Sequence, residues 1–282
     1  MLNRSKLLRH FGGQAKQTTP AESHKDYWNK TAEWYMKYNI ENSNKMYKAM
    51  APFLQLQDAK RIIDAGCGAG NGVGILSKFT KPDTDFTLVD MSEKFVEQAR
   101  RTNLPNVEVR QENAENLSDK DGKYDVYVSN GVLEICQNPE WLLNEAYRVL
   151  KPGGRAAFSI YGRMGICNTL RIYKSIRMKL KLQKGISEPK FELSDPEKAK
   201  SIVKQAGFKD VLYFYEQFHF NILEPHELFG LYWDNPVLRK GAEKEGKSQA
   251  LKQLIQEELE EILYEREEPL IYEALILTAI KK

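Results

Sequence analysis

The spacing of apolar positions changes character along the chain. From Ser23, Tyr27, Trp28, Thr31, Trp34, Tyr35 and Tyr38 recur at i, i+3/i+4 and i+7, which predicts a helix with one aromatic face. Met46, Met50, Phe53 and Leu54 predict a second helix. After that the apolar residues come in short runs with few polar residues among them, the pattern of strands. These runs are Ile62-Ile63, Phe86 to Val89 ending on Asp90, Val107 to Val109, Tyr124 to Ser129, Arg155 to Ile160, Val211 to Tyr215 and Ala274 to Ile280. Helical stretches lie between them. Val73, Ile75, Leu76 and Phe79 form one, and a helix capped by Ser92 carries Phe95, Val96 and Ala99. Another starts at Asn138 with Pro139 in its first turn and stops at Lys151-Pro152-Gly153-Gly154. A capping box, Ser194-x-x-Glu197 with Pro196, opens a further helix that Gly207 ends. Strand and helix alternate, as in an α/β fold with a mostly parallel sheet.

Two segments interrupt the alternation. Residues 161–193 hold Arg163, Arg171, Lys174, Arg177, Lys179, Lys181 and Lys184 before the first acid, Glu188. Residues 217–269 hold an aromatic cluster (Phe218, His219, Phe220, Phe229, Tyr232, Trp233), then an amphipathic helix with Leu251, Leu254, Ile255, Leu259 and Ile262 on one face. Ligands of open α/β sheets bind beyond the carboxyl ends of the strands, so both insertions are candidates for a substrate cap. Apolar Leu170, Ile172, Tyr173, Ile176, Met178, Leu180 and Leu182 would supply the buried side of the first.

The densest chemistry is the turn after the first strand, Asp64-Ala65-Gly66-Cys67-Gly68-Ala69-Gly70-Asn71-Gly72. Glycines there let backbone approach a ligand closely, and the following helix presents free N–H groups. A dinucleotide fingerprint, G-x-G-x-x-G, fails in every register, because its third glycine falls on Asn71, Val73, Ile75 or Ser77. The Gly-Lys-Ser/Thr of a phosphate-binding P-loop is also missing. Asp90, at the tip of the second strand, is placed to accept hydrogen bonds from two ribose hydroxyls.

Asp64-x-Gly66-x-Gly68-x-Gly70 resembles the first motif of class I S-adenosylmethionine (SAM)-dependent methyltransferases. Gln111-Glu112-Asn113-Ala114-Glu115 is similar to that family's Gly-Asp-Ala-Glu segment, with Asn113 standing where the acid usually is. Ser129-Asn130-Gly131-Val132-Leu133-Glu134 matches the loop after the fourth strand, and Glu145 to Gly154 matches the late signature. More weakly, Glu224-Pro225-His226-Glu227-Leu228-Phe229 and the final strand are similar to the methyltransferase type 11 group related to ubiquinone/menaquinone C-methyltransferases. The resemblance covers about residues 60 to 160.

It implies a three-layer α/β/α sandwich around a seven-stranded, mostly parallel sheet with an antiparallel last strand, and SAM as cofactor. It implies a cradle of Asp64, Gly66, Cys67, Gly68 and Gly70, with Asp90 and Met91 at the ribose. Asn113 and Ala114 would face the adenine, and Asn130 and Gly131 the methionine end. The leading helices would fold over the cofactor. The chain lacks the Asn/Asp-Pro-Pro-Tyr of amino-directed enzymes acting on bases or glutamine, and Cys136 lacks the Pro-Cys setting of a cytosine C5 nucleophile. A base is needed only if the acceptor must lose a proton; His219, His226, Tyr161 and Glu134 are candidates by placement, and none is assigned.

Composition narrows the reading further. A chain of 282 residues forms one domain with cap insertions, here residues 23–282 with leading helices over 23–57. Three isolated cysteines make neither a disulfide framework nor a zinc site. No apolar run spans a membrane, and a net charge of +3 is too mild to imply nucleic acid. Residues 1–22 carry Arg4, Lys6, Arg9 and Lys16 among Leu2, Leu7, Leu8 and Phe11. They form a solvated basic tail of a cytoplasmic protein or a mitochondrial presequence. The expected function is methyl transfer to a small-molecule acceptor. The alternatives are an RNA or protein methyltransferase docking through the basic insertion, and an inert SAM-binding subunit.

Overall fold

Two helices lead into the sheet, α1 (Pro20–Tyr38) and α2 (Ile40–Met50). The computed structural model describes residues 20–102, 104–182, 190–220 and 224–282; the basic segment before residue 20, with Lys184 and Glu188, lies outside them. The chain then runs through β1 (Arg61–Ala65), α3 (Val73–Leu76), β2 (Asp85–Asp90), α4 (Glu93–Ala99), β3 (Val107–Gln111), β4 (Tyr124–Asn130), α5 (Pro139–Val149) and β5 (Leu150–Tyr161). It continues with α6 (Asn168–Lys179), α7 (Pro196–Gln205), β6 (Lys209–Phe220), α8 (Pro225–Trp233), α9 (Pro236–Lys244), α10 (Ser248–Glu260) and β7 (Leu270–Ile280).

The seven strands form one sheet in the order β3-β2-β1-β4-β5-β7-β6. β1 to β5 pair in parallel, while β7 runs antiparallel between β5 and β6. This is the class I methyltransferase architecture expected from the sequence. Successive residues of the inner strands feed opposite layers. Ile62, Val126 and Val128 pack with Met46, Tyr47, Met50 and Leu76 on one face. Ile63, Tyr127 and Phe158 pack with Leu142, Ala146 and Val203 on the other. Each inner strand is covered on both sides, so its sequence reads as mostly apolar. A third core joins α6, α8, α9 and α10 through Ile172, Ile176, Tyr232, Leu238, Leu251 and Ile255, and makes the cap beyond the sheet.

Several details differ from the sequence reading. Phe218, His219 and Phe220 belong to β6, because β6 and β7 continue as a two-stranded ribbon as far as the Phe220–Leu270 pair. The cap of α7 is Asp195, whose carboxylate accepts the Glu197 and Lys198 N–H groups; Pro196 at N1 makes the residue before it the cap, and the Ser194 hydroxyl donates instead to Phe191 O. α3 is a single turn followed by a tighter one, and Phe79 is 51% exposed. β5 starts at Leu150 rather than Arg155 and includes the Pro-Gly-Gly segment read as the stop of the preceding helix.

Candidate functional site

The carboxyl ends of β1, β2 and β4 open onto a cavity, and the glycine turn is its near wall. Gly66 and Cys67 donate their N–H groups to Val89 O, which ties the turn to β2. Gly68 sits at φ 54° and lines the cavity, and a β-carbon there would meet no protein atom within 4 Å. The turn therefore leaves a space that a side chain would invade, at a conformation that favours glycine. Gly72 serves packing: a β-carbon on it would collide with the Tyr47 ring.

Asp90 ends β2 at the cavity wall. One carboxylate oxygen accepts the Gly68 N–H at 2.9 Å and the other the Ser92 N–H at 2.8 Å. Each oxygen keeps a lone pair, so the group can still accept from a diol. Burial pushes its carboxyl up to about 6, although the backbone donors of Ser92, Gly68 and Met91 pull the other way. Ser92 caps α4, as its hydroxyl accepts the Phe95 N–H and donates to Asn29 Oδ1.

Of the residues expected around the cofactor, Gly66, Gly68, Asp90, Met91, Asn113, Ala114, Asn130 and Gly131 line this cavity. Asp64, Cys67 and Gly70 do not line it. Asp64 is fully buried behind the turn and accepts the Tyr47 hydroxyl on both oxygens, at 3.0 and 2.8 Å. The Cys67 thiol is buried beside it, and Gly70 packs against Ala99. Asn113 spends its amide oxygen on the Glu115 N–H, so its amide nitrogen is the uncommitted end. Asn130 is held by Ser43 and Ser159, and Gly131 donates its N–H to Ser159.

His24, Trp28, Tyr35, Phe95 and Glu115 also line the cavity and were not assigned from the sequence. Glu115 Oε2 is buried there without a hydrogen-bond partner among the described residues. Only the similarity to the Gly-Asp-Ala-Glu segment pointed toward it. The aromatic spacing of α1 marked Trp28 and Tyr35 as one face without showing what that face covers. An orphaned carboxylate oxygen, an open glycine and the Asp90 acceptors together suit an adenosyl group.

A second, larger cavity adjoins the first, with Trp28, Tyr35 and Ile135 common to both walls. It is enclosed by α1, α6, α8 and β7 through Trp34, Thr169, Tyr173, Tyr232 and Tyr272. Tyr161, at the end of β5, lines it too. Glu134 lies behind Tyr161, 2% exposed, with Oε1 accepting the Tyr161 N–H at 3.3 Å and Oε2 without a partner. Burial pushes its carboxyl up to about 8. His219 and His226 are exposed and line neither cavity.

A family model described as a methyltransferase domain matches residues 63–158, the stretch that builds the first cavity. The chain is 31% identical over 119 residues to an arsenite methyltransferase of Halobacterium salinarum, a match covering 41% of this chain and 29% of that protein. The chain thus spans about a third of the length of that relative. A SAM-dependent methyltransferase of Thermotoga maritima, titled a possible histamine N-methyltransferase, superposes with TM-score 0.55 at 18% identity, over 93% of this chain and all of that one. A phosphoethanolamine N-methyltransferase of Haemonchus contortus, solved with S-adenosylhomocysteine, superposes with TM-score 0.56 at 17% identity, over 92% of this chain and 60% of that one. At these identities the two superpositions show a shared fold. Among the described residues, no helix is long and apolar enough to cross a membrane and no acid, His or Cys cluster forms a metal site.

Proposed function

We propose that the protein transfers the methyl group of SAM to a small organic acceptor held in the second cavity. The observation that carries this is the shared wall of Trp28, Tyr35 and Ile135, which sets an aromatic cavity directly beside the open glycine turn and Asp90. When bound, SAM supplies an electrophilic methyl group, and transfer leaves the bonding electron pair on sulfur. The chain's own task is to position and to exclude water. Gly68 leaves room, the Asp90 carboxylate would accept from the ribose hydroxyls, and the aromatic face of α1 lies along both cavities. Asp64, Cys67 and Gly70 support the turn from behind.

The ion pairs of the first insertion favour this reading over docking to RNA or a membrane. Arg163 pairs with the fully buried Glu273, Arg171 with Glu268 and Lys179 with Glu258, and Arg177 is buried. Much of the positive run is thus neutralised by acids of β7 and of the α10–β7 region. Calorimetry with S-adenosylhomocysteine, followed by a turnover screen over small acceptors, tests the proposal. Binding with turnover is expected. Binding of NAD without S-adenosylhomocysteine would refute it, and salt-dependent RNA binding coupled to RNA methylation would replace the small acceptor with a macromolecule.

A further inference from the structure

The lining of the second cavity selects among acceptors. Ten of its nineteen described lining residues are aromatic, including Trp28, Trp34, Tyr161 and Tyr272. Flat rings on several sides suit a planar apolar body, which gains from offset or edge-on ring contacts beyond simple area burial. The same rings would also attract an ammonium group through their faces. The charged and polar side chains decide between the two.

No carboxylate occurs among the described lining residues, whereas Lys174 and Arg177 are both there. Lys174 is exposed and makes no ion pair or hydrogen bond with described residues, so its ammonium is available at the rim. Arg177 is buried and donates to Leu182 O. Asn39, in the joint between α1 and α2, lines the same cavity with its Nδ2 buried and unpartnered among the described residues. Several other polar wall groups are committed. Trp34 Nε1 donates to Leu231 O at 2.7 Å, the Tyr232 hydroxyl donates to Thr169 O at 3.0 Å, and Asn235 Oδ1 accepts from Val237 and Leu238. A buried donor without an acceptor is costly unless a ligand supplies the acceptor. The wall is therefore donor-rich and positive, and an amine would meet like charge.

We propose that the acceptor is a flat aromatic molecule bearing an anionic oxygen, a carboxylate or phenolate, and that Asn39 and Lys174 hold that oxygen. The proposal rests on the second cavity being the acceptor site. Asn39 lines only that cavity, so the cofactor can be measured separately.

With S-adenosylhomocysteine saturating, three probes are titrated by calorimetry and tryptophan fluorescence: 2-naphthoate, 2-naphthylmethylammonium and decanoate. The expected order puts 2-naphthoate at least about tenfold tighter than either of the others. Asn39→Leu combined with Lys174→Gln should weaken 2-naphthoate by about tenfold, with no change in S-adenosylhomocysteine affinity. Tighter binding of the ammonium probe, equal binding of decanoate, or an unmoved affinity in the double variant overturns the proposal. A wild type that binds S-adenosylhomocysteine but none of the probes also overturns it, while leaving the methyltransferase function standing. Failure to bind S-adenosylhomocysteine removes that function and this proposal with it.

Discussion

Replacing Tyr47 by Phe isolates a single buried hydroxyl that links the leading helices to the cofactor turn. That hydroxyl is the one donor to the Asp64 carboxylate among the described residues, 2.8 Å from Oδ2 and 3.0 Å from Oδ1. Asp64 is fully buried, and burial pushes its carboxyl up to about 7, with the Tyr47 bond pulling it down and the Asp90 charge pushing it further up. A carboxyl raised in the native state favours folding while protonated, and that contribution is lost as pH rises through about 7. Above that pH the wild type holds an ionised, buried carboxylate whose charge the tyrosine hydroxyl stabilises. Phenylalanine keeps the ring and removes the donor. The expected loss at pH 8.5 is about 1.5–3 kcal/mol, the range for hydrogen bonds to a charged group. At pH 5.5 Asp64 is mostly protonated, and the loss should shrink to about 0.5–1.5 kcal/mol, that of a neutral bond. Urea unfolding followed by circular dichroism at both pH values measures the difference. A loss that is the same at both, or larger at pH 5.5, would refute the role given to the ionised carboxylate.

Asp90→Ala should weaken S-adenosylhomocysteine binding by about 1.5–3 kcal/mol in calorimetry. Because the Asp90 carboxyl is raised to about 6, wild-type affinity should fall as pH drops through that value, with the slope absent in the variant. Gly68→Ala should stay folded, since no protein atom crowds the new β-carbon, yet lose about 1 kcal/mol of stability to the left-handed backbone at φ 54°. Its affinity for S-adenosylhomocysteine should fall, and unchanged affinity would reduce the turn to a structural one. Arg163→Met leaves the buried Glu273 carboxylate with Gln217 as its remaining side-chain donor. With Arg163 itself about half exposed, the loss should be about 1–3 kcal/mol in urea unfolding, and no loss would mean that Gln217 suffices.

The inner strands were within reach of the sequence because each is buried on both faces, so Ile62-Ile63, Phe86 to Val89 and Tyr124 to Ser129 are mostly apolar, with Thr87 and Asp125 the polar residues inside them. The glycine turn was equally legible as a loop, yet the sequence could not say which of its residues face a ligand. Alternating glycines satisfy two different demands. Gly68 opens toward the cavity, whereas Gly70 gives way to Ala99 of α4 and Gly72 to Tyr47 of α2. Asp64 looks like a ligand-facing acid until α2, 17 residues upstream, brings the Tyr47 hydroxyl against it. The extended β6–β7 ribbon escaped for a related reason. Its outer half lies beyond the layers of the sandwich, so Phe218 to Phe220 follow the cap and show none of the continuous apolar run of an inner strand. The second cavity was the least legible. Its wall takes Trp34 from α1, Tyr173 from α6, Tyr232 from α8 and Tyr272 from β7. In the sequence each is an ordinary packing residue of its own element, and only the folded cap gives them a common surface.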